Sequence, residues 1–204
     1  PGPRGALECA EEEAEMAERF EVRLAGEGGQ GLILAGLILA EAAVLYDHKY
    51  ACQTQSYGPE ARGGASKSEV VISDEAIDYP KVIAADVLLA MSQEACDKYY
   101  HDVKRDGLLI VDADHVQRIP TSHAYHPHIS QLAKEKTGHV ITANMVGLGL
   151  LVGLTGIVSR QALEAAVVAR APRGTGEINL KALAAGFEVA EDLRASSGAG
   201  QATR

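Results

Sequence analysis

Apolar and polar residues follow several different periods along this chain, which is typical of strands that alternate with helices. Residues 20–25 alternate between the two classes and predict a half-buried strand. Residues 32–46 are largely apolar and long enough for a helix, with an acidic side chain only near the end. Two short apolar runs, 87–91 and 108–111, are typical of strands buried on both faces of a parallel sheet. The pattern therefore predicts a sheet with helices packed against it.

The remaining elements continue the same alternation. Residues 50–55 and 68–73 predict two further strands. The predicted helices are 92–103, 127–136, 159–170 and 180–193. Ser92 and Ser159 are the N-caps of the first and the third, and Glu94 lies near the positive end of the first. Gly138 ends the second. Together these elements predict the α/β class: a single Rossmann-like domain with a mostly parallel wound sheet covered by helices on both faces. We expect an acidic N-terminal extension at 1–20, the domain at 21–194 and a flexible tail at 195–204.

One segment resembles a membrane span by length. Residues 140–159 carry no charge and are numerous enough to cross a bilayer. Asn144 and four glycines interrupt the segment and no aromatic residue flanks it, which favours a buried helix pair and no membrane association. The Gly149-x-x-x-Gly153 spacing permits close approach of a second helix, from the same domain or from a partner. Since the uncharged segment exceeds what one small domain needs, we expect part of it to contact another chain.

Charge and cysteine content narrow the function classes. The chain has 204 residues, and 28 acidic against 19 basic side chains give a formal charge of −9. A nucleic-acid-binding protein needs a basic face for the phosphates, so nucleic acid is not an expected partner. The three cysteines, Cys9, Cys52 and Cys96, form no C-x-x-C pair and are too few for a four-iron cluster or a cysteine-rich zinc site. Their odd number and the absence of a secretory signal pattern predict reduced thiols and a cytoplasmic location.

A glycine motif, Gly26-x-Gly28-x-x-Gly31, lies between a predicted strand and a predicted helix. In this setting such a motif binds a pyrophosphate, because the glycines let the backbone approach and the helix supplies N–H donors. A dinucleotide site also needs an acid at the end of the next strand. Asp47 has nearly that spacing but precedes the strand, and Glu27 places a negative charge beside the phosphate position. The glycines therefore predict either a site for another anion or a tight turn with close packing.

The loop after the second strand is the most informative stretch of the chain. Residues 53–66 combine hydroxyl and amide side chains with Arg62 and two adjacent glycines. α/β proteins place ligands after their strands, and Arg62 beside Gly63 and Gly64 suits a carboxylate or a phosphate. The alternative is an ordered surface loop in which Arg62 pairs with Glu60.

Two nearby features have a structural interpretation. Cys52 precedes this loop with no histidine placed by sequence to activate it, so we expect a small buried thiol. His123, His126 and His128 are unevenly spaced around Pro127 and have no carboxylate or cysteine beside them in sequence. This spacing favours a polar loop over a metal site, and we expect no metal in this chain.

The motifs, taken in order, resemble the gamma subunits of the 2-oxoacid:ferredoxin oxidoreductases. The resemblance is carried by GEGGQG at 26–31 with the Ala-rich helix that follows, QTQSYGPEARGGAS within 53–66, VVIS at 70–73, DVLLAMSQEA at 86–95, GLLIVD at 107–112 and ANMVGLGLLVGLTG at 143–156. It covers about residues 22–193. The amino-acid sequence of the loop resembles that of the 2-oxoglutarate (2-ketoglutarate) type most closely. The pyruvate, branched-chain oxoacid and indolepyruvate types share the glycine-rich start and the RGG loop and stay open.

The resemblance implies an oxidoreductase acting on the oxo group of a donor, and a division of labour within a heteromeric complex. The complex would decarboxylate 2-oxoglutarate oxidatively to succinyl-CoA and reduce ferredoxin. Thiamine diphosphate, Mg, an iron–sulfur cluster and coenzyme A would be held by partner subunits, alpha and beta and possibly delta. This chain has neither a thiamine-diphosphate motif nor the cysteines for a cluster. It is therefore expected to hold no cofactor by itself, to contribute no catalytic residue and to be inactive alone.

The same resemblance implies that residues 26–31, here called the glycine turn, and the 55–66 loop form a wall near the active site or the coenzyme A entrance. The candidate residues are Gly26, Gly28, Gly29, Gln30, Gly31, Gln55, Ser56, Tyr57, Arg62, Gly63 and Gly64, of which Gln30, Ser56, Tyr57 and Arg62 would donate hydrogen bonds. Two other interpretations stay open. One is a stand-alone dinucleotide-binding oxidoreductase, and the other is a non-catalytic interaction module whose glycines are structural.

Overall fold

Six strands form one mixed sheet in the computed structural model, which describes residues 19–56, 65–121 and 124–201. The strands are β1 (Arg19–Glu27), β2 (Tyr50–Ser56), β3 (Ala65–Ser73), β4 (Ala85–Ala90), β5 (Val103–Val111) and β6 (Ala124–Tyr125), in the order β2-β3-β1-β4-β5-β6. The pairs β1–β4, β4–β5 and β5–β6 are parallel, whereas β3 is antiparallel to both of its neighbours. Every strand except β3 therefore points the same way, and the predicted mostly parallel wound sheet is confirmed.

Helices cover the two faces of the sheet unequally. They are α1 (Leu32–Glu41), α2 (Gln93–Tyr99), α3 (Ile129–Thr137), α4 (Ala143–Thr155), α5 (Arg160–Arg170) and α6 (Gly176–Gln201). One face carries α1, α3, α4, α5 and α6, which share the large core with Val22, Val70 and Leu89 of the strands. The other face carries α2, whose Ala95 and Cys96 pack against Leu88 in a smaller core. The division between 21–194 and the two terminal segments stays a prediction.

Several local signals position the helix ends as predicted. The Ser92 side chain accepts a hydrogen bond from the Ala95 amide and caps α2. Ser159 caps α5 in the same way through the Ala162 amide. Gly138 ends α3 with a φ of 81°, in the left-handed region that glycine adopts without strain.

Other boundaries differ from the predictions. Residues 140–159 hold a 3-10 turn (Val140–Thr142) and the single helix α4, not a helix pair, because the chain turns at Gly156 with a φ of 67°. The last helix, α6, runs from Gly176 to Gln201 and is longer at both ends than 180–193, since no proline interrupts it. No single helix in the described ranges is long and apolar enough to cross a membrane. Helices 129–137 and 140–155 pass that test jointly by length and composition, but a bend of 119° separates them.

Helices α4 and α6 cross with their backbones in contact. A Cβ added to Gly186 would collide with the Val146 carbonyl and lie 2.7 Å from the Leu150 amide nitrogen. One added to Gly149 would collide with the Leu183 carbonyl. The two backbones therefore touch, and residues 143–152 of α4 are buried. The Gly149-x-x-x-Gly153 spacing thus serves the domain's own core, because α6 covers it. The expectation that part of the 140–159 segment contacts another chain stays a prediction, since Val140 and Ile141 at its start are exposed.

Replacing Gly186 with Ala should destabilise the domain although alanine favours helices. The new methyl group would push α6 away from α4, at a cost of roughly 1–3 kcal/mol. Urea unfolding followed by circular dichroism measures the loss. Gly176→Ala is the matched control, because a Cβ at Gly176 meets nothing within 4 Å. Equal stability of the two variants would contradict the close crossing.

Candidate functional site

The candidate site lies at the carboxyl ends of β1 and β4. From β1 the chain passes to β2 and β3 on one side of it and then crosses to β4 on the other side. The order of the strands reverses here, and in open α/β sheets a crevice at such a point holds ligands. The glycine turn follows β1, and Met91 and Ser92 follow β4.

Its own Gln30 side chain and the distant Asn144 side chain hold the glycine turn in place. Gln30 Oε1 accepts a hydrogen bond of 2.8 Å from the Glu27 amide, and Gln30 Nε2 donates one of 3.0 Å to the Met91 carbonyl. Asn144 Nδ2 donates to the Gly31 carbonyl over 3.1 Å. Gly31 has a φ of 74°, and a Cβ there would lie 2.5 Å from Asn144 Nδ2. The turn is therefore tied both to β4 and to α4, and its conformation requires glycine at position 31.

The end of β2 and the start of β3 lie at the same edge of the sheet as the glycine turn. Ala65 pairs with Glu27, and its amide donates to Glu94 Oε1 over 3.3 Å. The Ser66 hydroxyl donates to the Gly26 carbonyl over 3.2 Å. Gln55 and Ser56 end β2 opposite Ser68 and Lys67 of β3. The structure thus brings Gly26, Gly28, Gly29, Gln30, Gly31, Gln55 and Ser56 to one edge, whereas Tyr57, Arg62, Gly63 and Gly64 lie outside the described residues.

A buried carboxylate at this edge is a feature that sequence reasoning missed. Asp112 follows β5 and is fully buried, and it accepts hydrogen bonds from the Ile129 amide (3.0 Å) and the Ser130 hydroxyl (2.5 Å). It therefore caps α3, where the positive end of the helix stabilises its charge. An acid directly after an apolar strand was the available signal. Its partners follow 17 and 18 residues later, so the contact itself was not predictable.

A second carboxylate on the same loop pairs with one of the predicted loop histidines. His128 Nδ1 lies 2.6 Å from Asp114 Oδ1, and the Gln131 amide donates to Asp114 Oδ2 over 2.6 Å. Partial burial raises the pKa of Asp114, but the hydrogen bonds from His128 and Gln131 outweigh it and hold that pKa below its usual value. The fold thus supplies the carboxylate that was absent beside the histidines in sequence. Among the described residues no group of three or more His, Cys, Asp or Glu is arranged to hold a metal ion, and His123 lies outside them.

Two further candidates have other surroundings. Asp47, the acid nearest to the ribose spacing, accepts hydrogen bonds from the amide and the hydroxyl (2.7 Å) of Ser159 and so anchors α5. Cys52 is half-buried, not buried as expected, because it lies on the edge strand β2. Of the two described cysteines the buried one is Cys96, and burial and the neighbouring Asp97 raise the pKa of its thiol to about 11.

Two cavities flank the glycine turn, and Gly29 and Ile141 line both. The larger, of about 410 Å³, lies between α1, α4, α5 and α6. Its apolar lining includes Leu34, Ile38, Met145, Val167 and Ile178, and polar groups from Asn144 and Asn179 reach it. The smaller, of about 250 Å³, lies between the turn, the end of β4 and the start of α3, beside His115 and Ser130. This arrangement suits binding, through apolar contact and a few hydrogen bonds.

The fold and the carboxyl edge of its sheet define a wound α/β domain. Its ligand crevice lies between β1 and β4, where the order of the strands reverses. The chain belongs to the pyruvate ferredoxin/flavodoxin oxidoreductase family, whose model matches residues 21–189. The 2-oxoglutarate synthase subunit KorC of Methanocaldococcus jannaschii is 54% identical over 86% of this chain and 96% of that protein. The resemblance seen in the motifs is confirmed.

Solved structures agree with this assignment. The gamma subunit of a keto/oxoacid ferredoxin oxidoreductase from Geobacter sulfurreducens matches with a TM-score of 0.80 and 52% identity, over 86% of this chain and 98% of that one. A 2-oxoglutarate:ferredoxin oxidoreductase from Magnetococcus marinus, solved with 2-oxoglutarate, coenzyme A and succinyl-CoA bound, matches with a TM-score of 0.75 and 25% identity. This second match covers 86% of our chain but 31% of that chain. The same domain therefore occurs both as a separate chain and inside a longer one.

Replacing Asp114 with Asn should lower the free energy of unfolding more at about pH 5 than at about pH 3. Folding holds the pKa of Asp114 below its ordinary 3.8, so the ionised carboxylate stabilises the fold above that value. The contribution is lost as the pH falls through the lower folded-state pKa. Urea unfolding of both proteins at about pH 5 and about pH 3 measures the difference. Asp74→Asn, at an exposed carboxylate after β3, is the control, and an equal effect of Asp114→Asn at both pH values would contradict the prediction.

Proposed function

We propose that this chain is the gamma subunit of a multisubunit 2-oxoglutarate:ferredoxin oxidoreductase, which converts 2-oxoglutarate to succinyl-CoA and reduces ferredoxin. The observation that carries the proposal is the 54% identity to KorC over nearly the whole length of both proteins. The position of the glycine turn at the crevice of the sheet supports a role in binding. A stand-alone dinucleotide-binding oxidoreductase fits less well, because Asp47 is engaged with Ser159 and Glu27 is exposed beside the turn.

The catalytic cofactors belong to partner subunits in this proposal. Alpha and beta subunits, with or without a delta subunit, hold thiamine diphosphate, Mg and the iron–sulfur cluster, and ferredoxin accepts electrons from the complex. Three cysteines in the whole chain are too few for a four-iron cluster. The complex works in the cytoplasm.

The contribution of this chain is assembly and part of a binding wall. The glycine turn and the 55–66 loop line the approach of coenzyme A or the oxoacid. Gln30 uses one hydrogen of its amide on Met91 and has a second N–H for a ligand. Arg62, with Gly63 and Gly64, holds a phosphate or a carboxylate, and Ser56 and Tyr57 donate further hydrogen bonds.

Purification of this chain from its source cells without oxygen should recover larger subunits together with iron and thiamine diphosphate. Mass spectrometry identifies the subunits, and oxoacid-dependent reduction of a one-electron acceptor measures activity. We expect kcat/KM to be highest for 2-oxoglutarate among 2-oxoglutarate, pyruvate, 2-oxoisovalerate and indolepyruvate. A chain recovered alone and without cofactors would overturn the proposal. A preference for another oxoacid would overturn the substrate and keep the subunit role.

Replacing Arg62 with Ala in the assembled enzyme should raise the KM for coenzyme A or the oxoacid by about tenfold, because a charge-assisted hydrogen bond is lost. Arg62→Lys should restore part of the affinity, since lysine keeps the positive charge but lacks the paired N–H donors of the guanidinium group. Arg105→Ala is the control, because Arg105 is exposed near the amino end of β5, at the opposite edge of the sheet. Unchanged kinetics with intact assembly would instead favour a non-catalytic interaction module.

A further inference from the structure

Two aliphatic side chains stand exposed beside the glycine turn. Val140 is 47% exposed and Ile141 is 75% exposed, both on the Val140–Thr142 turn that leads into α4. Ile141 lines both cavities together with Gly29. Aliphatic residues of this size contribute to stability when they leave water, and in the described part of this chain much of both side chains stays in water.

The turn that carries these residues is held firmly. Thr142 Oγ1 donates to the His139 carbonyl over 2.8 Å and lies 2.9 Å from Thr137 Oγ1. Thr137 Oγ1 in turn donates to the Ala133 carbonyl inside α3 and accepts from the His139 amide. These hydrogen bonds fix both ends of the turn, which lowers the conformational entropy that its backbone would lose on binding.

A longer relative indicates that this domain needs a partner surface when it is a separate chain. In the Magnetococcus marinus enzyme the matched domain is 31% of its chain, so it is covalently joined to the larger remainder. Where the domain is a separate chain, a non-covalent surface must replace that connection. A wall that lines the approach to an active site on other subunits must also face those subunits. The Val140–Thr142 turn is the exposed apolar element next to that wall.

We infer that the Val140–Thr142 turn docks into an apolar patch of the partner subunit that corresponds to the remainder of the longer relative, with Ile141 as the central contact. This inference rests on the proposed function. Docking at this point covers the mouths of both cavities and places the glycine turn at the boundary between two subunits. The crevice is thus completed only in the assembled enzyme.

The test is the recovery of the partner subunits by an affinity-tagged version of this chain, co-expressed with them as the whole complex. Ile141→Asp should lower the molar recovery of the partner subunits at least about tenfold, since a charge replaces a buried aliphatic contact. Its thermal unfolding alone should match the wild type, because Ile141 is exposed. Ile83→Asp is the matched control. Ile83 is 69% exposed but precedes β4, at the opposite edge of the sheet, and this variant should assemble normally.

Four results would overturn the inference and leave the proposed function standing. The first is normal recovery of the partner subunits with Ile141→Asp and unchanged kinetics. The second is normal recovery with a raised KM for coenzyme A or the oxoacid, which would mean that a small ligand covers the turn. A loss confined to Leu45→Asp would place the interface on the other exposed apolar run, 44–46. A wild-type chain that forms a dimer by itself, split by Ile141→Asp, would mean that a second copy covers the turn. Failure of the wild type to recover any partner would instead refute the proposed function, and the inference with it.

Discussion

The crossing of α4 and α6 determines where the candidate site can be. Gly149 and Gly186 let the two backbones touch, so α4 lies close under α6 and over the sheet. This depth places Asn144, in the first turn of α4, within hydrogen-bond distance of the Gly31 carbonyl. A wider crossing would withdraw the amide from the glycine turn. The geometry at the carboxyl edge of the sheet thus depends on a contact between two helices, which also line the larger cavity.

On the face of the sheet that carries only α2, a different interaction holds the strands together. Arg23 of β1 is 3% exposed and pairs with Glu69 of β3 over 2.8 Å and with Asp102 over 2.6 Å. Its guanidinium also lies 5.2 Å from the centre of the Tyr99 ring at the end of α2. A buried charge is costly unless it is paired and hydrogen-bonded, and this one is. The network joins β1, β3 and α2 on the face that has a single helix, and so keeps β1 in place from the other side.

A turn held in this way suits a wall better than a mobile lid. Gln30 donates to the Met91 carbonyl after β4, and Asn144 of α4 donates to the Gly31 carbonyl, so the turn keeps its shape before any ligand arrives. The described residues that line the cavities offer apolar contact and hydrogen bonds. Chemistry on a 2-oxoacid needs cofactors that, in the proposed complex, other subunits supply. In that complex, the domain would contribute shape and a position at a subunit boundary.

Local features were predictable because they depend on residues close in sequence. The apolar run at 108–111, the Ser92 and Ser159 caps and the glycine turn each follow from neighbours within a few positions, and the ordered motifs identified the family. The tertiary structure alone decided the antiparallel direction of β3, the burial of α4 under α6, and the contacts of Gln30 with Met91 and of Asn144 with Gly31. Those pairs are 61 and 113 residues apart, and only packing selects such partners. The roles of Tyr57, Arg62, Gly63 and Gly64 stay predictions from the sequence, because a hydrogen-bond partner is defined by the folded surroundings of a side chain.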